Sequence, residues 1–241
     1  MPGTISSPAV PGDPQPVHLR PTTALAPRVL LPGDPGRALA LAQVVLGDDR
    51  RMFNHHRGLW GYTGTAHDGA PLTIQSTGMG GPSAAIVLEE LAALGVRRAV
   101  RVGTAEALDA ALAPGDLVAA AAVLAADGTS RALGGPERAE LDAALTGALA
   151  GAVRHTGLVV SSDLVYAVDA APARAWRAAG ALARDLETAA LAAVAARHGI
   201  AFGSVVAIVL DAAGTRLDDE RATAAGEAAG EAGAAALTAA G

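Results

Sequence analysis

Apolar positions along the chain fall into short runs that alternate with longer helical stripes. Val29 to Leu31 is a brief apolar run; a Gly/Pro turn and a helical stretch, ALALAQVV, follow it, giving strand, loop and helix in order. After a more polar passage, Leu72 to Ser76 reads as a strand and TGMGGP as a turn. SAAIVLEELAALG then sets Val87, Leu88, Leu91 and Leu94 on one helical face, and RRAVRVG supplies another strand. Strand, helix, strand is a βαβ unit with parallel pairing. Farther on, Asp116 to Leu124 and Gly157 to Val160 are predicted strands, and Glu137 to Ala150 a predicted helix. Glu187 to His198 forms a helix that Gly199 ends, and Gly203 to Leu210 a last strand, apolar throughout as a buried strand should be. From Asp218 onward the chain is an Ala/Glu/Gly helix that Gly226, Gly230 and Gly233 weaken. No repeat or linker divides the sequence, so one α/β domain over residues 18–241 is expected, after a Pro-rich disordered lead over residues 1–17.

Composition narrows this picture. Of 241 residues 51% are hydrophobic and only 2% aromatic, with alanine dominating, so the core is built from small aliphatic side chains and its helices pack closely. Eighteen Lys and Arg against 24 Asp and Glu leave a net charge of −6, which offers no general attraction to nucleic acid or anionic lipid. A local anion site is still compatible with it. The absence of cysteine excludes disulfides, thiolate catalysis and Cys-ligated zinc. The first residues carry neither a basic nor an apolar leader segment, and no uninterrupted apolar stretch reaches about eighteen residues. The expectation is a soluble, cytoplasmic protein without nucleic-acid or membrane partners.

Three loops carry candidate chemistry. Pro32-Gly33-Asp34-Pro35-Gly36-Arg37 opens a helix after a strand, where backbone N–H groups favour anions and Arg37 could close over a phosphate; an ordinary turn with a solvated arginine is the plain alternative. Gly78-Met79-Gly80-Gly81-Pro82-Ser83 approximates a dinucleotide-binding glycine loop, but Ser83 replaces the third glycine and the acid at about the expected distance, Glu106, follows the next predicted strand. Close approach of this loop to a neighbouring loop or ligand is the other explanation. Arg101-Val102-Gly103-Thr104 ends a central strand, and an arginine inside an apolar strand requires an anionic partner, either a ligand or a structural carboxylate. The adjacent His55 and His56 would point to opposite faces of a strand and have no third ligand at metal spacing. The serine loop lacks the second glycine of a nucleophile elbow, and no Walker A lysine is present.

Taken in order, LLPGDPGRA, RGLWGYTGT, STGMGGPSAAIVLEELAALG, RVGT, VVSSDLVY and DLETAAL resemble the nucleoside phosphorylase family, which holds purine nucleoside phosphorylases and uridine phosphorylases. The likeness runs from about His18 to the final helix and is nearest to uridine phosphorylase between Ser76 and Thr104. It implies a single three-layer α/β domain with a central mixed, largely parallel sheet flanked by helices. It also implies phosphorolysis of a purine or uridine-type nucleoside to free base and ribose 1-phosphate, with inorganic phosphate as co-substrate and no metal or organic cofactor. Phosphate then falls to Gly33, Arg37, Arg57, Arg101 and Thr104, the nucleoside to His18, Asp185, Leu186, Glu187, Val165, Tyr166 and Glu106. Arg57 and His18 would cross to a neighbouring subunit of a dimer-based oligomer, a hexamer by family expectation.

The resemblance departs at the base. Val165 stands where a stacking phenylalanine is usual, and the Gln and Arg that read uracil are missing from the stretch after Tyr166. Asp211 with Arg221 could supply the acid that protonates a purine, though Asp211 could equally cap its strand end; with Arg101, these are the candidate catalytic residues. Glu106 occupies a position where the family has glycine, so a carboxylate there either contacts a base N–H or repels phosphate. Altered specificity follows from the first, and a nucleoside- or phosphate-binding paralogue without turnover from the second. A hydrolytic nucleosidase is a further alternative, against which the arginine set argues.

Overall fold

The computed structural model describes residues 16–166 and 170–240. Nearly all of the expected lead therefore lies outside the described residues, as do residues 167–169 of the base-side stretch. In the first half, β1 (Arg28–Pro32), α1 (Pro35–Val45), β2 (Arg51–Asn54), a 3₁₀ turn (His56–Gly58), β3 (Gly61–Thr65), β4 (Pro71–Gln75), α2 (Gly81–Ala93) and β5 (Arg98–Ala107) follow one another. Next come β6 (Leu117–Ala126), α3 (Gly128–Ala132), β7 (Arg138–Glu140), α4 (Ala143–Ala152) and β8 (His155–Ser162). The chain then forms α5 (Ala170–Ala178), β9 (Ala181–Asp185), α6 (Thr188–His198), β10 (Ala201–Leu210) and α7 (Asp219–Ala239).

All ten strands join one mixed sheet. Parallel pairings unite β4, β1, β5 and β10 in one block and β6, β8 and β9 in another. Antiparallel pairs β10–β6 and β5–β9 join the two blocks, so β5, β10, β6, β8 and β9 close into a ring. β2 and β3 extend the opposite edge as antiparallel strands, and they occupy the polar passage between the first two predicted units. One face of the sheet packs Leu30, Val100 and Val102 against α1, α4 and α7 through Leu41, Leu145, Leu149 and Ala229. The other face packs Val29, Leu31 and Ala99 against α2 and α6 through Val87, Leu88, Leu91, Leu191 and Val194. Helices on both faces of a central sheet make the three layers.

Local chemistry explains the helix starts. Asp34 caps α1, its carboxylate accepting the Arg37 N–H at 2.7 Å with Pro35 in the first turn, and Asp218 caps α7 through the Arg221 N–H at 2.8 Å. The three α7 glycines do not break the helix, which is continuous over 21 residues. They face inward: a Cβ at Gly230 would sit 2.1 Å from Leu41 Cδ2, and one at Gly233 3.1 Å from Leu30 Cδ2. Close packing offsets the propensity lost, which is about 1 kcal/mol per glycine.

Two predicted boundaries move. The helix expected from Glu137 starts only at Ala143, where Asp142 caps it, and Arg138–Glu140 instead pairs with β6 as a charged edge strand. β5 continues beyond Gly103 to Ala107, because its later residues pair with β10 and β9, so Glu106 lies within a strand and not after it. Among the described residues no helix is long and apolar enough to cross a membrane.

Candidate active site

Arg101 is 2% exposed in the middle of β5. Burial on its own would lower its pKa, but Glu187 and Asp185 on either side outweigh that and hold the guanidinium firmly protonated. Its Nε donates to Asp185 Oδ2 at 2.9 Å, and its Nη2 donates to Glu187 Oε2. The guanidinium lies along the strand over Gly103, where a Cβ would come within 2.6 Å of Nη2, so glycine is required there by contact. Nη1 is buried and has no acceptor among the described residues. A buried cationic donor left in that state costs on the order of 1–3 kcal/mol, which an incoming anion or hydroxyl would recover.

Asp185 and Glu187, expected together as nucleoside ligands, separate into two roles. Both oxygens of Asp185 are spent inside the protein: Oδ2 takes Arg101, Thr188 Oγ1 at 2.6 Å and the Thr188 N–H at 3.1 Å, and Oδ1 takes Ser161 Oγ. At 3% exposure it aims Arg101 and caps α6, and is not free to bind a nucleoside. Glu187 stands at the start of α6 without capping it, and its Oε1 accepts the Gly80 N–H at 2.7 Å. The second glycine loop therefore serves to position this glutamate. Gly80 has φ 84°, a left-handed conformation that suits glycine and turns its N–H toward the carboxylate. Leu186 between the two acids is half-buried.

The first loop lies against the second. Thr77 N–H donates to Pro32 O at 2.9 Å and Gly78 N–H to Gly33 O at 3.0 Å, while a Cβ on Gly33 would sit 3.3 Å from Gly78 O. Arg37, one turn into α1, rests its side chain on α7 where Gly226 leaves room, a Cβ there lying 2.9 Å from Arg37 Nε. Burial lowers the Arg37 pKa, Asp34 raises it, Arg101 lowers it and Glu187 raises it, with a net depression. No carboxylate among the described residues lies within salt-bridge distance of Arg37. Two arginines thus share one electrostatic neighbourhood, one tightly paired and the other lacking a counter-ion.

Glu106 is half-exposed and opposite Arg184 in the β5–β9 register, and their side chains form an ion pair. Arg184, 7% exposed, also donates to the carbonyls of Leu164 and Val165 and to Ser162 Oγ. Arg184 lies outside the motifs that the sequence displays. A signal was present, since a second arginine directly before Asp185-Leu186-Glu187 also lies in an otherwise buried strand. Val165 and Tyr166 are 50% and 97% exposed, so the loop after β8 presents them to solvent.

Asp211 forms a turn. Its Oδ1 accepts N–H groups of Ala213 and Thr215 at 2.9 and 2.7 Å, and the Thr215 backbone bond leads the interactions that lower its pKa. A general acid needs the opposite shift. Arg221 is exposed in the first turn of α7. Thr104 is half-buried on β5. His18 is clasped to α2: Glu90 accepts the Val17, His18 and Leu19 N–H groups and bonds His18 Nδ1 at 2.7 Å. Arg57 is exposed, in the 3₁₀ turn, at φ 61° and ψ 17°, the one non-glycine residue with positive φ among the described residues. Neither His18 nor Arg57 hydrogen-bonds or ion-pairs with Arg101, Glu187 or Arg37 of its own chain. His56, of the adjacent histidine pair, bonds His18 O through Nδ1 at 2.9 Å. Among the described residues no group of three His, Asp or Glu side chains is arranged to hold a metal ion. A cavity of about 630 Å³ between β7 and α6 contains none of these residues.

The arrangement is one of two buried or partly buried arginines, a glutamate held between one of them and a glycine loop, and a loop-to-helix start, gathered toward the carboxyl ends of parallel strands. Comparison with known proteins addresses the family and the fold. The sequence profile of the Phosphorylase superfamily matches residues 27–240. A guanosine phosphorylase from Halorubrum lacusprofundi is 35% identical over 188 residues, which cover 74% of this chain and 76% of that protein. A DeoD-type purine nucleoside phosphorylase from Clostridium novyi is 34% identical over 73% of this chain and 78% of its own length. The crystal structure of a uridine phosphorylase from Vibrio fischeri ES114 superposes with a TM-score of 0.80 at 26% identity, covering 89% of this chain and 92% of that one. With fold, loop order and sequence in agreement over nearly the whole described chain, this protein belongs to the Phosphorylase superfamily, among its nucleoside phosphorylases.

Proposed function

We propose that the protein transfers the pentosyl group of a purine or uridine-type nucleoside to inorganic phosphate, releasing free base and ribose 1-phosphate. The observation that carries this reading is the pair Arg37 and Arg101. Arg37 has no carboxylate within salt-bridge distance among the described residues, and Arg101 keeps a buried Nη1 without an acceptor. Phosphate supplies oxygens to both, and guanidinium forks fix its orientation toward the anomeric carbon. Gly33 and the backbone at the start of α1 add N–H donors, and the Thr104 hydroxyl a further contact. Glu187, released from Arg101 Nη2 as phosphate takes that donor, accepts the ribose hydroxyls and stabilises the positive charge that grows on the sugar as the glycosidic bond breaks.

Asp185 keeps Arg101 in place throughout and is assigned here to positioning. His18 and Arg57 would act on a neighbouring copy: Glu90 holds the His18 ring at Nδ1, leaving Nε2 for a 5′-hydroxyl, and Arg57 is exposed on a turn held at positive φ. No metal or organic cofactor is needed for this displacement. Ion pairing of Glu106 with Arg184 supports turnover over a silent paralogue, because a carboxylate already neutralised repels phosphate less. The test is base release from a nucleoside panel with and without phosphate. Phosphate-dependent release with ribose 1-phosphate as co-product is expected; release independent of phosphate would replace phosphorolysis with hydrolysis.

A further inference from the structure

We propose that Glu106, held by Arg184, reads the base, and that it selects guanine nucleosides over adenine nucleosides. The inference rests on the nucleoside reading of the site and names its substrate. Glu106 and Thr104 are two residues apart on β5, hence on the same face and roughly 7 Å apart along the strand. With phosphate at Thr104, that spacing carries Glu106 beyond the reacting end of the nucleoside toward its base.

The carboxylate is built into place. Arg184 is buried and donates to Glu106 Oε2, to Ser162 Oγ and to the Leu164 and Val165 carbonyls, so one guanidinium ties the acid on β5 to the loop that carries Val165 and Tyr166. Glu106 Oε1 has no hydrogen-bond partner among the described residues, and the side chain is 37% exposed. An ionised carboxylate accepts and cannot donate. Guanine presents two adjacent donors, the ring N1–H and the exocyclic amino group, to such an acceptor. Adenine presents its amino group beside an unprotonated ring nitrogen, whose lone pair faces the carboxylate unfavourably. Uracil presents a single N–H between two carbonyl oxygens, and those oxygens are repelled. A site that leaves one oxygen of a carboxylate without a donor discriminates against the base that cannot donate to it.

The experiment compares guanosine and adenosine with the wild type and with Glu106→Gln, by kcat/KM for phosphorolysis and by calorimetric affinity for each nucleoside. Wild type is expected to prefer guanosine by about tenfold to a hundredfold, the range of one hydrogen bond to a charged group. Glu106→Gln should collapse that ratio toward one. Arg184→Met, which frees the acid, should reduce it as well. A ratio is insensitive to partial loss of folded protein. A wild type that favours adenosine, or a ratio that Glu106→Gln leaves unchanged, would overturn the assignment while phosphate-dependent release of either base left the phosphorylase reading intact. Conversely, a guanosine preference in binding that Glu106→Gln abolishes, without any phosphate-dependent turnover, would uphold the base reader and defeat phosphorolysis.

Discussion

Arg37→Met separates phosphate binding from folding. Methionine keeps the apolar stem that lies against Gly226 and removes only the guanidinium. That charge is partly buried and has no carboxylate within salt-bridge distance among the described residues; burial and repulsion by Arg101 together outweigh the attraction of Asp34 and Glu187, so the apo protein loses no net electrostatic stabilisation with it. In phosphate-free buffer the variant should therefore match or exceed the wild type in thermal stability. With phosphate the order reverses. At phosphate 100 times its Kd the wild type gains about 2.7 kcal/mol by mass action. Loss of a charge-assisted bond weakens binding by up to about a hundredfold, and the variant at the same phosphate concentration then gains only about 0.4 kcal/mol. For a chain of this size each kcal/mol moves Tm by roughly 2–4 °C, so a wild-type rise of about 5–10 °C should shrink to about 1 °C. Differential scanning fluorimetry across a phosphate series reads both effects. Arg101→Met is the contrast, because it strands Asp185 and Glu187 and should cost about 3–5 kcal/mol with or without phosphate. An Arg37→Met protein that is strongly destabilised without phosphate, or that keeps the full phosphate shift, would refute the assignment of this arginine to the ligand.

Other outcomes follow from the same geometry. Asp211→Asn keeps an oxygen for the Ala213 and Thr215 N–H groups, so kcat should stay within about tenfold of wild type, whereas loss of a general acid costs a hundredfold or more. Gly230→Ala should lower the denaturation midpoint despite alanine's better helix propensity, since the new methyl group would overlap Leu41 Cδ2; a higher midpoint would show that α1 and α7 have slack. Asp68 accepts two 2.6 Å bonds from Arg28, whose hydrogen bonding holds its carboxyl well below the usual range. A depressed folded-state pKa gives stability that is present above the unfolded value, near 4, and lost as pH falls through the folded value. Asp68→Asn should thus lower Tm at pH 7, with the gap to wild type closing only below about pH 4; a gap that does not change with pH would rule out the ionic origin.

Much of the site was legible along the chain because its parts are local. Gly33 to Arg37 and Arg101 to Thr104 carry recognisable chemistry in a few consecutive residues, and the apolar runs on either side place them at strand ends. What stayed hidden was pairing. Ala181–Asp185 is a short strand whose last two residues are charged, so periodicity did not mark it, and Arg184 went unnoticed with it. Glu106 looked like an intrusion of negative charge because its partner is 78 residues away in sequence. Asp211 suited a proton donor by residue type, and only the turn that wraps it shows a carboxylate committed to backbone N–H groups.

By itself the sequence determined the class of fold, the parallel βαβ start, the small-residue core and the residue types that suit phosphate and ribose. Hydrophobic periodicity and turn chemistry act over a few residues, and the chain displays them directly. Tertiary structure decided the rest: that the α7 glycines are contact points, that Asp185 aims an arginine and has both oxygens committed within the protein, that Gly80 orients Glu187, and that Glu106 is ion-paired. Each of these depends on two segments meeting across the sheet, where burial and electrostatics are set by neighbours distant in sequence.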